Sequence, residues 1–437
     1  MGMNDRGVVF RRVGRKLTYR RRGMEALSGN EQVYLKKLKK MIIFGLIKEE
    51  QSVEILTKAN WKRFHGVCIA KYLRIKISNY DKLKPDCRRN RLFDSFEDFQ
   101  FDIFFRFTKE ELRRVQKLME LPEMFKFANG ATMCGEEVFL RGMYELVSGE
   151  RQGSISINVF GGGQALQSFA YNSFIDHVFL THKHLVRNNI KWFYDNGLLH
   201  ESAEAIGRKM KECDEYEYPK DWVNNVCMFI DCNCLATRCP GGGPAEEGEH
   251  AARWSDKVQQ SFYNGWKSVH GLKHQTCDIA HGITVDISKA HSLRRNDLYL
   301  LRDSKVNEQL QRLTDLYIFG DSAYKVHSNI SSYVPAAAVE AAGFEKWNYA
   351  MKSVRIAIEW NYGYTANLFR YAQTTDKLRI LGSKSVSRMY TVVTLLRNMR
   401  VMMRGGQSSV YFGLRMHKDL VEHYVHQTAL NSEIGAL

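Results

Sequence analysis

The chain changes texture at residue 223. Before that point, apolar residues recur at helical spacing among charged ones. After it come short apolar runs that stop abruptly at an acid: VNNVCMFID ends at Asp231, and LYIFGD ends at Asp321. A short, unbroken apolar run with a sharp end reads as a buried strand. KSVHGLKHQTCDIAHGITVDIS reads as two strands joined tightly near Cys277 and Asp278, and ISSYVP as a further short strand. From Glu345 onward the spacing is helical again, through WNYAMKSVRIAIEWNYGYTANLFRYA and then SVSRMYTVVTLLRNMRVMM. The second half is therefore of the α/β class, and a helical first half precedes it.

In that first half, Thr108 followed by KEELRRVQKLMEL reads as a capped helix with Glu111 completing a capping box. CGEEVFLRGMYELVSG is a second helix that ends at Gly149. SISINVF, then Gly161 to Gly163, then QALQSFAYNSFIDHVFLTHKHL gives a short helix, a glycine turn and a long helix, the order of a helix-turn-helix. Gln164, Gln167, Ser168, Tyr171 and Asn172 of the long helix could face a DNA groove, with Ala165, Phe169, Phe174 and Val178 on its core side. The same order also serves plain helical packing, and the pattern leaves both uses open. Four regions result: a basic arm at 1–91, a helical region at 92–215, a catalytic region at 223–403 with a glycine-rich loop at 240–250, and a helical tail at 404–437. Within that tail, HKDLVEHYVHQTAL is amphipathic and suits a partner or dimer contact.

Charge is distributed unevenly. Lysine plus arginine number 64 and aspartate plus glutamate 48, a net +16; residues 1–91 hold 24 and 8 of these, also +16, so the rest of the chain is neutral. A basic arm on a neutral body points to a polyanion, because neutralising phosphates releases counterions. Arg20, Arg21 and Arg22 lie in its densest cluster, RRVGRKLTYRRR, which also has the composition of a nuclear-import signal. No apolar run approaches the ~18–20 residues of a membrane helix. With no secretory leader pattern, the nine cysteines read as reduced thiols of a nuclear or cytosolic protein. Cys232, Cys234, Cys239 and His250 imitate a zinc site, but their spacing departs from paired knuckles and reads better as loop or buried thiols.

Three acids could carry chemistry. Asp231 and Asp321 end strands, and Glu359 lies in a helix. Sites form at the carboxyl ends of strands in sheets flanked by helices. A carboxylate bordering a core is costly without a cation or hydrogen bonds, and Mg²⁺ or Mn²⁺ suits such hard oxygen ligands. Two ions about 3.5–4 Å apart clamp an in-line phosphoryl displacement. Each acid alone also fits ordinary turn or helix chemistry. Lys267, His270, Lys273, Lys352 and Arg355 could approach phosphates, while Asn296 and Asp297 could cap the helix LYLLRD.

FIDCNC, FGDSAY and SVRIAIEWNYG, around the three acids, resemble the DDE motifs of PIF/Harbinger-type transposases, a group that includes vertebrate Harbinger-derived nuclease-like proteins and DDE superfamily endonucleases of plants, fungi and oomycetes. The resemblance runs from about 226 to 415 and takes in HGLKHQT, RRNDLYLLRDS and LLRN…GGQSSVYFGL. Residues 96–182 resemble the family's helix-turn-helix loosely, and residues 1–91 resemble nothing in it. The resemblance implies a ribonuclease-H-like core, a mixed five-stranded sheet flanked by helices. Asp231 would be on the first strand, Asp321 after the fourth and Glu359 on the next helix. It implies cleavage of double-stranded DNA at transposon terminal repeats and strand transfer to a target site, using two Mg²⁺ or Mn²⁺ ions held by the three acids, with Asn296 and Asp297 as supports. It also implies a homodimer or larger assembly, a separate Myb-like DNA-binding partner, and action in the nucleus. The chain has Cys232 and Ala323 where many members have glycine. A domesticated DNA-binding protein that keeps the fold without transposing is the alternative, and a general structure-specific nuclease a third.

Overall fold

The structure is a computed structural model and describes residues 93, 96–212, 225–240, 257–311, 316–324, 329–333, 345–380, 384–416 and 419–427. All of these fall in one compact unit, Pro85–Leu437. The basic arm, Arg20, Arg21, Arg22 and most of the glycine-rich loop with His250 lie outside the described residues.

The first half is helical: α1 Asp98–Phe105, α2 Lys109–Leu118, α3 Gly135–Ser148, α4 Gln152–Ile155, α5 Gln164–His182, α6 Ile190–Asp195 and α7 Leu198–Glu212. The predicted box caps α2: Thr108 Oγ1 accepts from Glu111 N at 3.2 Å, and Glu111 Oε2 accepts from Thr108 N at 2.9 Å. A short hairpin of β1 Met124–Lys126 and β2 Thr132–Cys134 interrupts the helices, an element the spacing does not reveal. Between α4 and α5 the chain passes through a π turn, Ser156–Phe160, and then Gly161 and Gly162 at φ +74° and +86°. Side chains rarely adopt such angles, so glycine permits the turn. Helices α3 and α5 touch at Gly142, where an added Cβ would lie 2.3 Å from the Phe174 ring.

The second half builds one sheet: β3 Val226–Thr237, β4 Tyr263–Asn264, β5 Val269–Ile279, β6 Thr284–Ile287, β7 His291–Ser292, β8 Tyr317–Phe319 and β9 Ile330–Ser331. Its main path runs β4-β5-β3-β8-β9, with β6 and β7 also paired to β5. β3 and β5 are antiparallel, with Asp231 opposite Thr276, whereas β8 is parallel to β3 and β9 to β8. The sheet among the described residues thus has seven strands rather than five, because three short strands share the outer edge of β5. The turn also lies later than Cys277–Asp278. Both residues stay in the ladder, with Asp278 opposite Thr284, and the chain reverses around Gly282 at φ +83°.

Helices α8 Asp297–Ser304, α9 Val306–Gln311, α10 Glu345–Leu368, α11 Val386–Arg404, α12 Gln407–Tyr411 and α13 Leu420–Val425 complete the chain. One face of β3 carries α7 and α10: Ala205, Ile206 and Met210 meet Val226, Phe229, Val354 and Ile358 in one buried cluster. The larger cluster runs from Phe93 in the helical half through Ile230 and Ile279 to Tyr424. The apolar face of α13 is covered within the chain. Val421, Tyr424 and Val425 are buried, the Tyr424 ring sits 5.5 Å from that of Trp192, and Glu422 pairs with Arg114. This corrects the expectation that the segment is free for a partner. Among the described residues, no helix is long and apolar enough to cross a membrane.

Candidate active site

Asp231 stands midway along β3 and not at its end as the apolar run suggested; the fully buried stretch stops there, but the strand continues to Thr237 in its ladder with β5. Asp321 follows β8, the parallel neighbour of β3, so the sheet's own pairing brings both acids to one end. Asp321 Oδ1 accepts from Ala323 N at 2.9 Å, which closes the turn after the strand. Glu359 projects from α10 and is half exposed.

Arg355, one helical turn before Glu359, joins them. Its Nη2 donates to Asp231 Oδ2 at 2.5 Å, and its Nη1 lies 3.6 Å from Glu359 Oε1. Burial lifts the Asp231 carboxyl to about 6. The Arg355 charge and the Cys232 N–H, bonded at 2.7 Å, pull it down, and the negative charge of Asp321 pushes it up. Burial opposes the charge on Arg355, but Asp231, Asp321 and Glu359 outweigh it and leave its pKa raised. The three acids therefore converge electrostatically around one guanidinium. Among the described residues, no group of three or more His, Cys, Asp or Glu side chains is gathered to hold a metal ion. The donor chemistry suits a hard divalent cation, and Arg355 supplies Asp231 and Glu359 with positive charge.

Other predicted residues divide sharply. Gln167 is fully buried, accepting from Arg141 Nη1 at 3.1 Å and donating to Glu145 Oε2 at 3.0 Å. Tyr171 is buried too. Both are corrections: Gln167 ties α5 to α3, Tyr171 lies against the Tyr371 ring at 5.4 Å, and neither faces a groove. Gln164 is exposed, while Ser168 and Asn172 are half-buried and bonded to each other at 3.5 Å. Ala165, expected in the core, is exposed. Lys273 is held inside by Asp297 Oδ1 at 2.8 Å and Arg295 O at 3.1 Å, so its ammonium is already paired. Asn296 does cap α8, accepting from Tyr299 N at 2.9 Å. Lys267 and Lys352 are exposed; His270 lies against the Tyr263 ring at 5.0 Å. The pairing of Arg355 with Asp231 was missed, although its four-residue spacing from Glu359 signalled a shared helical face.

On the other face of β3, Cys232 Sγ lies 3.4 Å from the Tyr324 hydroxyl, and burial pushes the thiol well up. It is a packed thiol, as expected; Cys239 Sγ, 3.7 Å from His270 Nε2, is exposed.

A mixed sheet flanked by helices, with acids on and just after adjacent parallel strands and a helix carboxylate near them, is compatible with a nuclease-like domain of the DDE type. Residues 251–398 match the family model of the DDE superfamily endonuclease, a span that contains Asp321 and Glu359 and begins after Asp231. The match supports a DDE transposase-like family and suggests transposase or endonuclease activity on DNA; nucleases of this superfamily generally use divalent metal ions. No curated protein and no solved structure matches the chain.

Proposed function

We propose that this chain is a PIF/Harbinger-type DNA transposase, which cuts phosphodiesters at transposon ends and joins them to target DNA. The observation that carries this reading is the meeting of Asp231, Asp321 and Glu359 around Arg355, in the same order as the three motifs that resemble that family. The strand order supports it further. β5 and its edge strands lie antiparallel on one side of β3, and β8 and β9 parallel on the other, as in a ribonuclease-H-like sheet.

In this reading Asp231 and Asp321 would hold Mg²⁺ or Mn²⁺ between them, and Glu359 would complete one ion's ligands. Bound metal would supply Lewis-acid stabilisation of the charge that develops on the phosphoryl oxygens. The chain's own part is to present three carboxylates on rigid elements and to move Arg355 off Asp231, freeing it to neutralise a DNA phosphate. The basic residues 1–91 and the helical region would hold double-stranded DNA. Action on two ends calls for a homodimer or larger assembly, a Myb-like partner would help select the ends, and the work would be done in the nucleus.

The test is Mg²⁺- or Mn²⁺-dependent cleavage of DNA carrying the ends of the encoding element, comparing the chain with Asp321→Ala. Cutting at those ends by the unaltered chain alone is expected. Salt-sensitive binding without cutting in either protein would favour the domesticated alternative, and cutting without preference for terminal repeats a general nuclease.

A further inference from the structure

The tip of the β4–β5 hairpin carries Trp266, which is 94% exposed. Isolated apolar side chains at a surface are ordinary, but this one does not stand alone. Tyr263 on β4 is 39% exposed and Tyr299 on α8 is 40% exposed. The Arg295 guanidinium lies 4.5 Å from the centre of the Tyr299 ring. Asn264 ties the hairpin to the neighbouring loop, its Nδ2 donating to Leu293 O at 2.9 Å, and closes the hairpin's own turn, its Oδ1 accepting from Lys267 N at 2.9 Å. Beside it opens a cleft of about 460 Å³, lined by Asn264, Lys273, Arg294, Arg295, Asn296 and Ala323 among others.

Charge and size restrict what the cleft can take. Lys273, Arg294 and Arg295 are set against one lining carboxylate, Asp297, which already holds Lys273 and leaves the two arginines in excess. The volume falls within the usual range for a small ligand, about 300–1,000 Å³. Exposed rings beside a cationic cleft combine the two elements of a site for unpaired nucleotides, backbone attraction and base stacking. Intact duplex leaves no base face free to cover an indole, and its phosphates are held by cations alone. Ala323, whose N–H donates to Asp321, also lines the cleft, so a strand lying in it comes close to the candidate catalytic acid.

We propose that the Trp266 hairpin and the Arg294–Arg295 cleft form a binding site for unpaired nucleotides of a DNA strand, with the indole as a stacking platform. This rests on the reading of the chain as a DNA-cutting enzyme and names the form of DNA that this part of it holds.

The test measures binding of a labelled oligothymidine and of an arbitrary duplex by fluorescence anisotropy, without divalent metal, using the full chain at elevated salt, where phosphate contacts weaken. Trp266→Ala should weaken binding of the single strand on the order of 10-fold and leave duplex binding within about twofold. Trp266→Phe should recover part of the loss. Replacing Arg294 and Arg295 by Gln should weaken single-strand binding and flatten its salt dependence. Unchanged single-strand affinity in Trp266→Ala, or equal losses on both DNAs, would overturn the proposal. So would a change of oligomeric state in sedimentation with DNA binding untouched, which would make the hairpin a protein interface. Because no cleavage is measured, a transposase that cuts normally could still fail this test, and a non-cutting chain could pass it.

Discussion

At the residue scale, Arg355 decides how the three acids coexist. Asp231 is largely buried, and a buried anion needs a counter-charge. Arg355 supplies it, so a divalent cation arriving at Asp231 must first displace the guanidinium. Arg355→Gln should therefore melt earlier than the unaltered chain without metal, yet gain more melting temperature on addition of Mn²⁺, since ligand that binds only the native state stabilises it. An equal or smaller Mn²⁺ shift in the variant would show that Arg355 does not compete with the ion. Asp286 poses a separate residue-scale question. Its Oδ1 accepts from Asn188 N at 2.7 Å, and burial lifts its carboxyl from 3.8 to about 6, with Asn188 and Arg187 pulling the other way. An acid raised on folding binds more protons in the native state, so its contribution is greatest below about pH 4 and is lost as pH climbs through 6. The span corresponds to roughly 3 kcal/mol at most. Melting temperatures of the chain and of Asp286→Asn, taken from pH 4 to 7, should diverge in that window to the disadvantage of the unaltered chain, and then run parallel. A constant difference would mean that Asp286 stays ionised throughout.

At the scale of elements, legibility followed periodicity and failed where partners are distant. The cap of α2, the end of α3 at Gly149 and the long helices α10 and α11 could be read because their signals are local. So could the strands that bear or precede Asp231 and Asp321, although Asp231 proves to lie mid-strand because β3 continues to Thr237 beyond the apolar run. The face of α5 could not. Gln167 looks polar and available, but its partners Arg141 and Glu145 sit more than twenty residues away on α3. The seven-stranded sheet escaped for a related reason: β4 and β7 are two residues long, and only the edge of β5 makes them strands. The buried role of Gln167 gives a direct contrast. Gln167→Ala leaves a buried guanidinium and carboxylate short of hydrogen bonds and should cost about 1–3 kcal/mol of unfolding free energy, with DNA affinity per folded molecule unchanged. Gln164→Ala, at an exposed position, should leave stability alone. Denaturant titrations set beside binding curves separate the two, and a Gln167→Ala chain of full stability but weakened DNA binding would restore α5 as a reading helix. Gly142→Ala should also destabilise, by roughly 1–3 kcal/mol, because Phe174 must give way to the new Cβ.

At the scale of the whole molecule, the two textures of the sequence share one interior. Ser202 on α7 donates to Cys227 O at 2.6 Å and accepts from Ala280 N at 2.9 Å, stitching the helical half to β3 and the turn after β5. Arg388 on α11 reaches Asp176 on α5 at 2.6 Å, and Tyr424 near the far end of the chain donates to Leu185 O at 2.7 Å. Residues drawn from Phe93 to Val425 form one apolar cluster. A chain beginning at residue 223 would expose Val226 and Phe229, which α7 covers, and would leave Arg106, Glu111 and Asp102 absent from their bonds to Arg400 and Arg404. Such a fragment should not fold cooperatively, whereas residues 85–437 should melt in a single calorimetric transition. A cooperative melt with fixed near-ultraviolet dichroism from the 223–437 fragment would show instead that the sheet is an independent domain. The expected outcome bears on function. With α5 packed on α11 and α7 on β3, DNA held by the helical half, on the proposed function, would be presented to Asp231, Asp321 and Glu359 from one packed interior. On the proposed function, selection of DNA ends would then draw on how duplex lies across this shared interior together with a Myb-like partner, and the excess positive charge of residues 1–91 would add attraction that carries no sequence information.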